Sequence, residues 1–376
     1  MKKSRSGTCP ICLAVATVIL LSLSLHAVAQ TPSPALLVLE KSDSTLAIVD
    51  PATLKVVARI PAGPDPHEVI ASDDGKLAYI SNYGGEGSAL NTISVIDLVA
   101  AKPLPAIDLG ALHSPHGLAF AGGKLYFTAE TSKAIGRYDP ATQRVDWILG
   151  TGQDRTHMIA VSKSLDQIVT SNVSSGTISI LEQVGRTNGG YGPPPSANGP
   201  DGALAHPPPP PRGNAVPRKT WEVTNVAAGR GSEGFDVSPD GKEIWVANAQ
   251  DGTATIIDLA SKKVTATVAI GVKGANRLKF TPDGKQVLIS GLGSRGDDST
   301  SGGDLEVLDA VSRKSIKLLH LGGGSAGILI PPTGDRVYVA VSAKGNIAVV
   351  DLKTLEVVAR ISAGNQPDGM AWAVGK

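Results

Sequence analysis

Three histidines stand at matching points of three successive stretches: His67 in Pro-His-Glu-Val, His116 in Pro-His-Gly-Leu and His157 in Thr-His-Met-Ile. An apolar run follows each of them. Four later stretches carry Glu233 (Ser-Glu-Gly-Phe), Asn276 (Ala-Asn-Arg-Leu), Ala326 (Ser-Ala-Gly-Ile) and Asp368 (Pro-Asp-Gly-Met) at the same point. The chain has 7 histidines, of which His26 lies in the leader segment and His206 in a proline-rich block. Three of the remaining five thus share one position, which random placement would rarely produce. Neutral imidazole with carboxylate suits Zn²⁺, Cu²⁺, Fe²⁺ or Mn²⁺, and three histidines with an open coordination position can activate a water molecule. His67, His116, His157, Glu233 and Asp368 are therefore the candidate ligands of one divalent transition metal.

The elements that must position these residues repeat along the chain. Around residues 235–270, four β-type runs are separated by turn residues, among them Pro239-Asp-Gly-Lys, in which Pro presets φ and Gly accepts the left-handed position. An acidic residue closes the third run of every copy: Asp50, Asp97, Asp139, Glu182, Asp258, Asp309 and Asp351, at steps of 47, 42, 43, 76, 51 and 42. The step of 76 is one period with an insertion. Four-stranded sheets of this size cannot bury both faces alone, so they must stack on like neighbours. A period in the forties with four strands per unit predicts an all-β, seven-bladed β-propeller of four-stranded antiparallel blades. Leu36-Leu-Val-Leu matches a second run and Pro367-Asp-Gly-Met a first run, so the C-terminal strand is expected to join the N-terminal blade and close the ring.

In a propeller the first strand is innermost, so the histidine position forms a ring around the central channel. The ends of the second runs, Glu40, Asn82, Glu130, Asn172, Asn248, Gly291 and Val341, are expected to form a second ring on the same face. With Asn276 and Arg277 these define the predicted channel mouth. Asn at the second-run end belongs to the repeat itself, where it can satisfy a turn; Glu40 and Glu130 depart from it and are the stronger candidates. Arg155 and Arg277, near the mouth, can neutralise an anionic ligand or lie solvated. Three outcomes stay open for the ring: a bound metal, another small polar ligand, or a water-filled channel whose polar groups bond the turns.

Other short matches carry less. Gly291-Leu-Gly-Ser-Arg-Gly fits a dinucleotide fingerprint, but Asp-Asp-Ser-Thr-Ser-Gly-Gly-Asp follows where a helix would have to start. Gly322-Gly-Gly-Ser lacks the lysine of a phosphate loop. Arg295-Gly-Asp is a tripeptide common by chance, and the sequon at Asn172 coincides with the repeat's own Asn. No Gly-Xaa-Ser-Xaa-Gly elbow occurs.

Tyr79-Ile-Ser-Asn, Ile168-Val-Thr-Ser-Asn and Trp245-Val-Ala-Asn, with Val-Ile-Asp-Leu and the segments Val56 to Gly63 and Val357 to Gly364, resemble the YVTN-repeat family of seven-bladed propellers. The resemblance spans essentially the whole chain after residue 35. It implies the propeller fold and a non-catalytic exported module that binds a protein or small polar ligand through its loop-bearing face. It does not imply a particular activity, because one fold hosts many.

Residues 1–29 read as a signal peptide: Lys2, Lys3 and Arg5, an apolar core from Ile11 to Leu25, then Ala27-Val-Ala. Cleavage there would leave residues 30–376 as one propeller domain, periplasmic or secreted, with no membrane span. Both cysteines, Cys9 and Cys12, would leave with the leader, which excludes cysteine catalysis. Loss of three cations takes the formal charge from +1 to −2, which offers no basic field for nucleic acid. A Pro/Gly-rich block at 185–217 interrupts the fourth unit, where it is expected to be extended or disordered. Smaller expansions at 83–91 and 292–304 follow second runs and are the expected partner loops. The balance favours a binding module over an enzyme. The alternative is a metal-assisted lactonase- or lyase-like enzyme, to whose repeats Pro115-His-Gly-Leu-Ala-Phe is locally similar. Copper redox chemistry would need more histidines than these three.

Overall fold

The acidic residue that closes each third strand shows how short sequence signals set the blades. In the computed structural model, Asp50 accepts the Ala52 amide at 2.9 Å and the Thr53 hydroxyl at 2.7 Å. Asp97, Asp139, Asp258, Asp309 and Asp351 make the same short-range bonds to backbone amides two or three residues on. Each such turn then passes through a left-handed residue before the fourth strand: Leu54, Ala101, Gln143, Lys262, Arg313 and Leu355. A carboxylate that holds the tight turn is what this spacing requires. Glu182 makes no such turn; its strand runs on to Arg186 and pairs with Arg218–Ala227.

The structure describes residues 31–84, 88–186, 218–293 and 304–375. The expected leader at 1–29 and nearly all of the expected block at 185–217 lie outside these residues, as do parts of the two smaller loops. Gly185 and Arg186 are described, and they are strand residues opposite Lys219 and Arg218.

Seven four-stranded antiparallel sheets form the ring. Six are built from consecutive strands, as in Ser232–Val237, Glu243–Asn248, Thr253–Asp258 and Lys263–Ala269. The seventh joins the chain ends: Pro367–Ala373 pairs with Ala35–Glu40, so the C-terminal strand is the innermost of the first blade. We number the blades from that one. The inner strands of blades 2 to 7 are Pro66–Ala71, Pro115–Ala121, Thr156–Val161, Ser232–Val237, Ala275–Phe280 and Ser325–Leu329. Among the described residues the only helical turn is a 3₁₀ turn at Ser342–Lys344, and no helix is long and apolar enough to cross a membrane.

Second and third strands are buried on both faces because a neighbouring blade covers each side, so they read as continuous apolar runs; the outer strands alternate. Each of the seven apolar clusters straddles one seam between blades. With aromatics at 4 %, Val, Ile, Leu and Ala supply most of this packing, each large aliphatic side chain contributing about 1.5–3 kcal/mol.

Near the channel the inner strands crowd one another. A Cβ on Gly117 would fall 2.4 Å from the His157 carbonyl oxygen of the next blade, and one on Gly369 would fall 2.4 Å from that of His67. Gly234 and Gly327 meet the following blade in the same way, at 2.5 and 2.2 Å. Only glycine admits this approach. We therefore expect Gly369→Ala to cost about 1–3 kcal/mol in urea unfolding. Gly150→Ala, where a Cβ meets nothing within 4 Å, should stay within about 0.5 kcal/mol.

Candidate functional site

All seven inner strands carry a register shift at their start, between Pro66 and Val69, Pro115 and Leu118, Thr156 and Ile159, Pro367 and Met370, and their counterparts in blades 5 to 7. The shift falls on the ring position. A bulge re-aims the side chains beside it, and here it turns the ring residues into the channel. A cavity of about 380 Å³ lies there. His67, His116, His157, Glu233, Asn276, Ala326 and Asp368 all line it, together with Lys41, Arg155 and Arg277.

At its centre three blades meet. The rings of His116 and His157 lie 3.8 Å apart and those of His67 and His116 5.1 Å apart. His157 Nδ1 hydrogen-bonds to Glu130 Oε1, and its Nε2 lies 2.7 Å from Glu233 Oε2. That second contact is close but lies off hydrogen-bonding geometry, so it counts as an ion pair only. The Tyr83 hydroxyl donates to Glu130 Oε2 at 2.6 Å, and Arg155 Nε approaches the same oxygen at 3.4 Å. His116 Nδ1, His157 Nε2 and Glu233 Oε2 are, among the described residues, the buried side-chain atoms left without a hydrogen bond. All three belong to this one site.

The electrostatics separate the two buried histidines. Burial pushes both toward the neutral form. For His157 the carboxylates of Glu233 and Glu130 outweigh burial and hold its pKa at about 9. His116 has no carboxylate partner, so burial, with the adjacent His157 cation next in weight, keeps it well below the ordinary value and neutral. Burial opposes ionisation of Glu233, yet the His157 cation takes its pKa down to about 2. Glu130 is likewise lowered, with its bond to His157 offsetting burial.

Under the ring, Arg277 of blade 6 reaches across the channel to Glu68 of blade 2 and donates to Asn276 Oδ1 at 3.0 Å. Both ends are buried. Arg277 is thus a strut across the floor of the cavity rather than a solvated residue at its mouth. Glu68 carries no signal in the sequence because it follows the ring position, where four other blades have glycine.

The second-run ends need a correction. Asn82 donates to Thr92 and Ser94, Asn172 to Thr177 and Ser179, and Asn248 to Thr253 and Thr255, all across to the third strand of their own blade. Glu40 is buried likewise, against Thr45 and Arg59. These four are turned into the blades and do not line the cavity. Glu130 differs because it sits one position later. Pro66 pairs with Asn82, 16 residues on, whereas Pro115 pairs with Ala129, 14 residues on. The hairpin of blade 3 is two residues shorter, and a one-residue offset moves a side chain to the opposite face. Glu130 is therefore the equivalent of Lys41, Tyr83, Leu292 and Ser342. Lys41, Leu292 and Ser342 line the cavity, and Tyr83 supports Glu130, which bonds His157. Aligning the repeats from the inner-strand Pro through the hairpin would have revealed this set.

No protein-family model matches the chain, and no curated protein matches it. Solved structures do. A functionally unknown protein from Desulfotomaculum acetoxidans superposes with a TM-score of 0.68 at 12 % identity, over 92 % of this chain and 100 % of that one. A candidate 6-phosphogluconolactonase from Bacteroides uniformis gives 0.65 at 14 % identity, over 91 % and 99 %. Hydrazine synthase of Kuenenia stuttgartiensis gives 0.61 at 16 % identity, over 81 % and 89 %. At such identities the likeness is one of fold.

The His157 charge makes stability depend on pH in a defined direction. A folded pKa near 9 against about 6.5 unfolded contributes stability that is complete below pH 6.5 and lost as pH rises through 9. The groups facing His157 are Glu130, Glu233, His116 and Arg155. In metal-free protein, urea unfolding should show a loss on the order of 2–3 kcal/mol across that window. Glu233→Gln should flatten the profile; an unchanged slope would contradict the assignment.

Proposed function

We propose that this protein is an exported propeller of the YVTN-repeat type that holds one divalent transition metal ion at the channel mouth and binds a small polar ligand there. The observation that carries this reading is that His116 Nδ1, His157 Nε2 and Glu233 Oε2, buried and without hydrogen bonds, belong to residues that line one cavity. Ligand atoms of His116, Glu130 and His157 also lie within 4.8 Å of one another. Glu130, however, already serves His157, Tyr83 and Arg155, so Glu233 is the better third donor. Glu130 then has the orienting role: a ligating histidine commonly gives its other N–H to a carboxylate, which fixes the ring and raises its basicity.

Two imidazoles and a carboxylate form a donor set suited to zinc and to its neighbours in the first transition row, and three protein ligands leave a position open. The ion would supply a Lewis-acidic centre able to polarise a ligand oxygen or a bound water. His157 must shed its proton as the ion binds, and Glu130 stays in place to accept the Nδ1 hydrogen. Arg277, held by Glu68, lines the same cavity. The enzymatic alternative, a metal-assisted lactonase- or lyase-like activity, rests on the same donors. It is favoured by the open position beside a cavity of about 380 Å³, large enough for a small organic molecule.

Mature protein dialysed against Zn²⁺, Cu²⁺, Fe²⁺ or Mn²⁺ should retain about one equivalent of one of them by elemental analysis. His116→Ala and His157→Ala should each abolish retention, and His113→Ala, outside the ring, should leave it intact. No metal retained by the parent protein would overturn the reading. Turnover of lactones by the loaded protein, lost on chelation, would select the enzymatic alternative.

A further inference from the structure

We infer that Arg155 determines what the site accepts: it takes the carboxylate of a small organic acid whose oxygens are shared between its guanidinium and the metal ion. This rests on the metal reading above and names the ligand class for that site.

The backbone singles Arg155 out. Two residues before the ring position the chain passes through a left-handed turn in most blades. Blades 5 and 6 use Gly231 and Gly274 there, at φ 73° and 59°. Blades 1, 2 and 3 use Gln366, Asp65 and Ser114, whose polar side chains pair with Ser42, with Lys41 and His67, and with Thr131. Arg155 adopts φ 53°, a conformation that costs an L-residue energy which glycine avoids. Its long side chain reaches across to Glu130, where Nε makes one hydrogen bond at 3.4 Å, and lines the cavity.

Its partners there are distant. Arg155 Nε is 3.4 Å from Glu130 and Nη2 is 4.0 Å from Glu233, with the side chain 42 % exposed. Arg277, by contrast, is 8 % exposed and tightly held by Glu68. One arginine is a strut; the other is held loosely over two carboxylates. A dication bound to Glu233 would neutralise that partner and leave the guanidinium fork the strongest unspent anion donor beside the ion. A planar fork matches a carboxylate through two parallel N–H bonds. Arg155 also borders a second cavity of about 910 Å³ between blades 5 and 6, which shares Glu233, Asn276 and Leu292 with the first. The acid's remaining atoms have that space to occupy.

The test uses cobalt-substituted mature protein, whose visible bands report the metal's coordination, titrated with propionate, its neutral counterpart propionamide, and inorganic phosphate. Propionate should perturb the bands and propionamide should not. Arg155→Gly should keep the cobalt spectrum and weaken propionate about 10- to 100-fold. Relief of the left-handed strain should leave the loaded variant's melting temperature equal to the parent's or about 1–2 °C higher. Arg155→Lys, which keeps the charge without the fork, should recover only part of the affinity. Cobalt bands that ignore propionate, or an Arg155→Gly variant that binds it as well as the parent, would overturn this inference and leave the metal reading standing. Tighter binding of phosphate than of propionate would overturn the ligand class. Absence of cobalt bands in the parent would overturn both.

Discussion

The inner strands of this propeller approach so closely that four blades need glycine immediately after the ring residue, where any Cβ would fall 2.2 to 2.5 Å from the next blade. Hydroxyl groups complete the contact. Thr128 accepts the Gly117 amide and donates to the His157 carbonyl of the next blade, at 2.8 and 2.6 Å, and Ser290 donates to the Ala326 carbonyl. At these two seams a hydroxyl thereby satisfies a backbone carbonyl of the next blade. That constraint brings residues far apart in sequence within ångströms of each other, and the channel mouth is its product.

Three blades carry a side chain where the others carry glycine: Glu68, Met158 and Arg277. Two of these form the ion pair that crosses the channel beneath the histidines. Such a pair makes a weak case for stability, because desolvation offsets much of the attraction. Its structural consequence is clearer. It ties blades 2 and 6 to each other directly.

Within that cavity, acids and imidazoles are matched unevenly. His157 has two carboxylates and His116 has none, so one ring is charged and its close neighbour neutral. A neutral buried imidazole beside an imidazolium clamped by two carboxylates is a set of donors arranged for positive charge. The proton on His157 meets that demand in the metal-free protein. Arg155, strained in backbone and loosely paired, is oriented by this same arrangement.

The sequence by itself determined the blade count, the strand order and the closing strand, because periodic apolar runs and Asp-closed turns are local signals that each blade repeats. It also placed His67, His116, His157, Glu233 and Asp368 on one ring, since residues at one repeat position occupy one radius of a propeller. What only the tertiary structure decided was orientation. With the blade 3 hairpin two residues shorter, Glu130 meets His157 while Asn82, Asn172, Asn248 and Glu40 turn into their blades. Sequence spacing misses this because a strand side chain changes face with each residue, so an error of one position inverts the assignment. The Glu68 to Arg277 pair was equally hidden. Its members lie 209 residues apart, and nothing local marks them as partners until closure of the ring sets blades 2 and 6 facing each other across the channel.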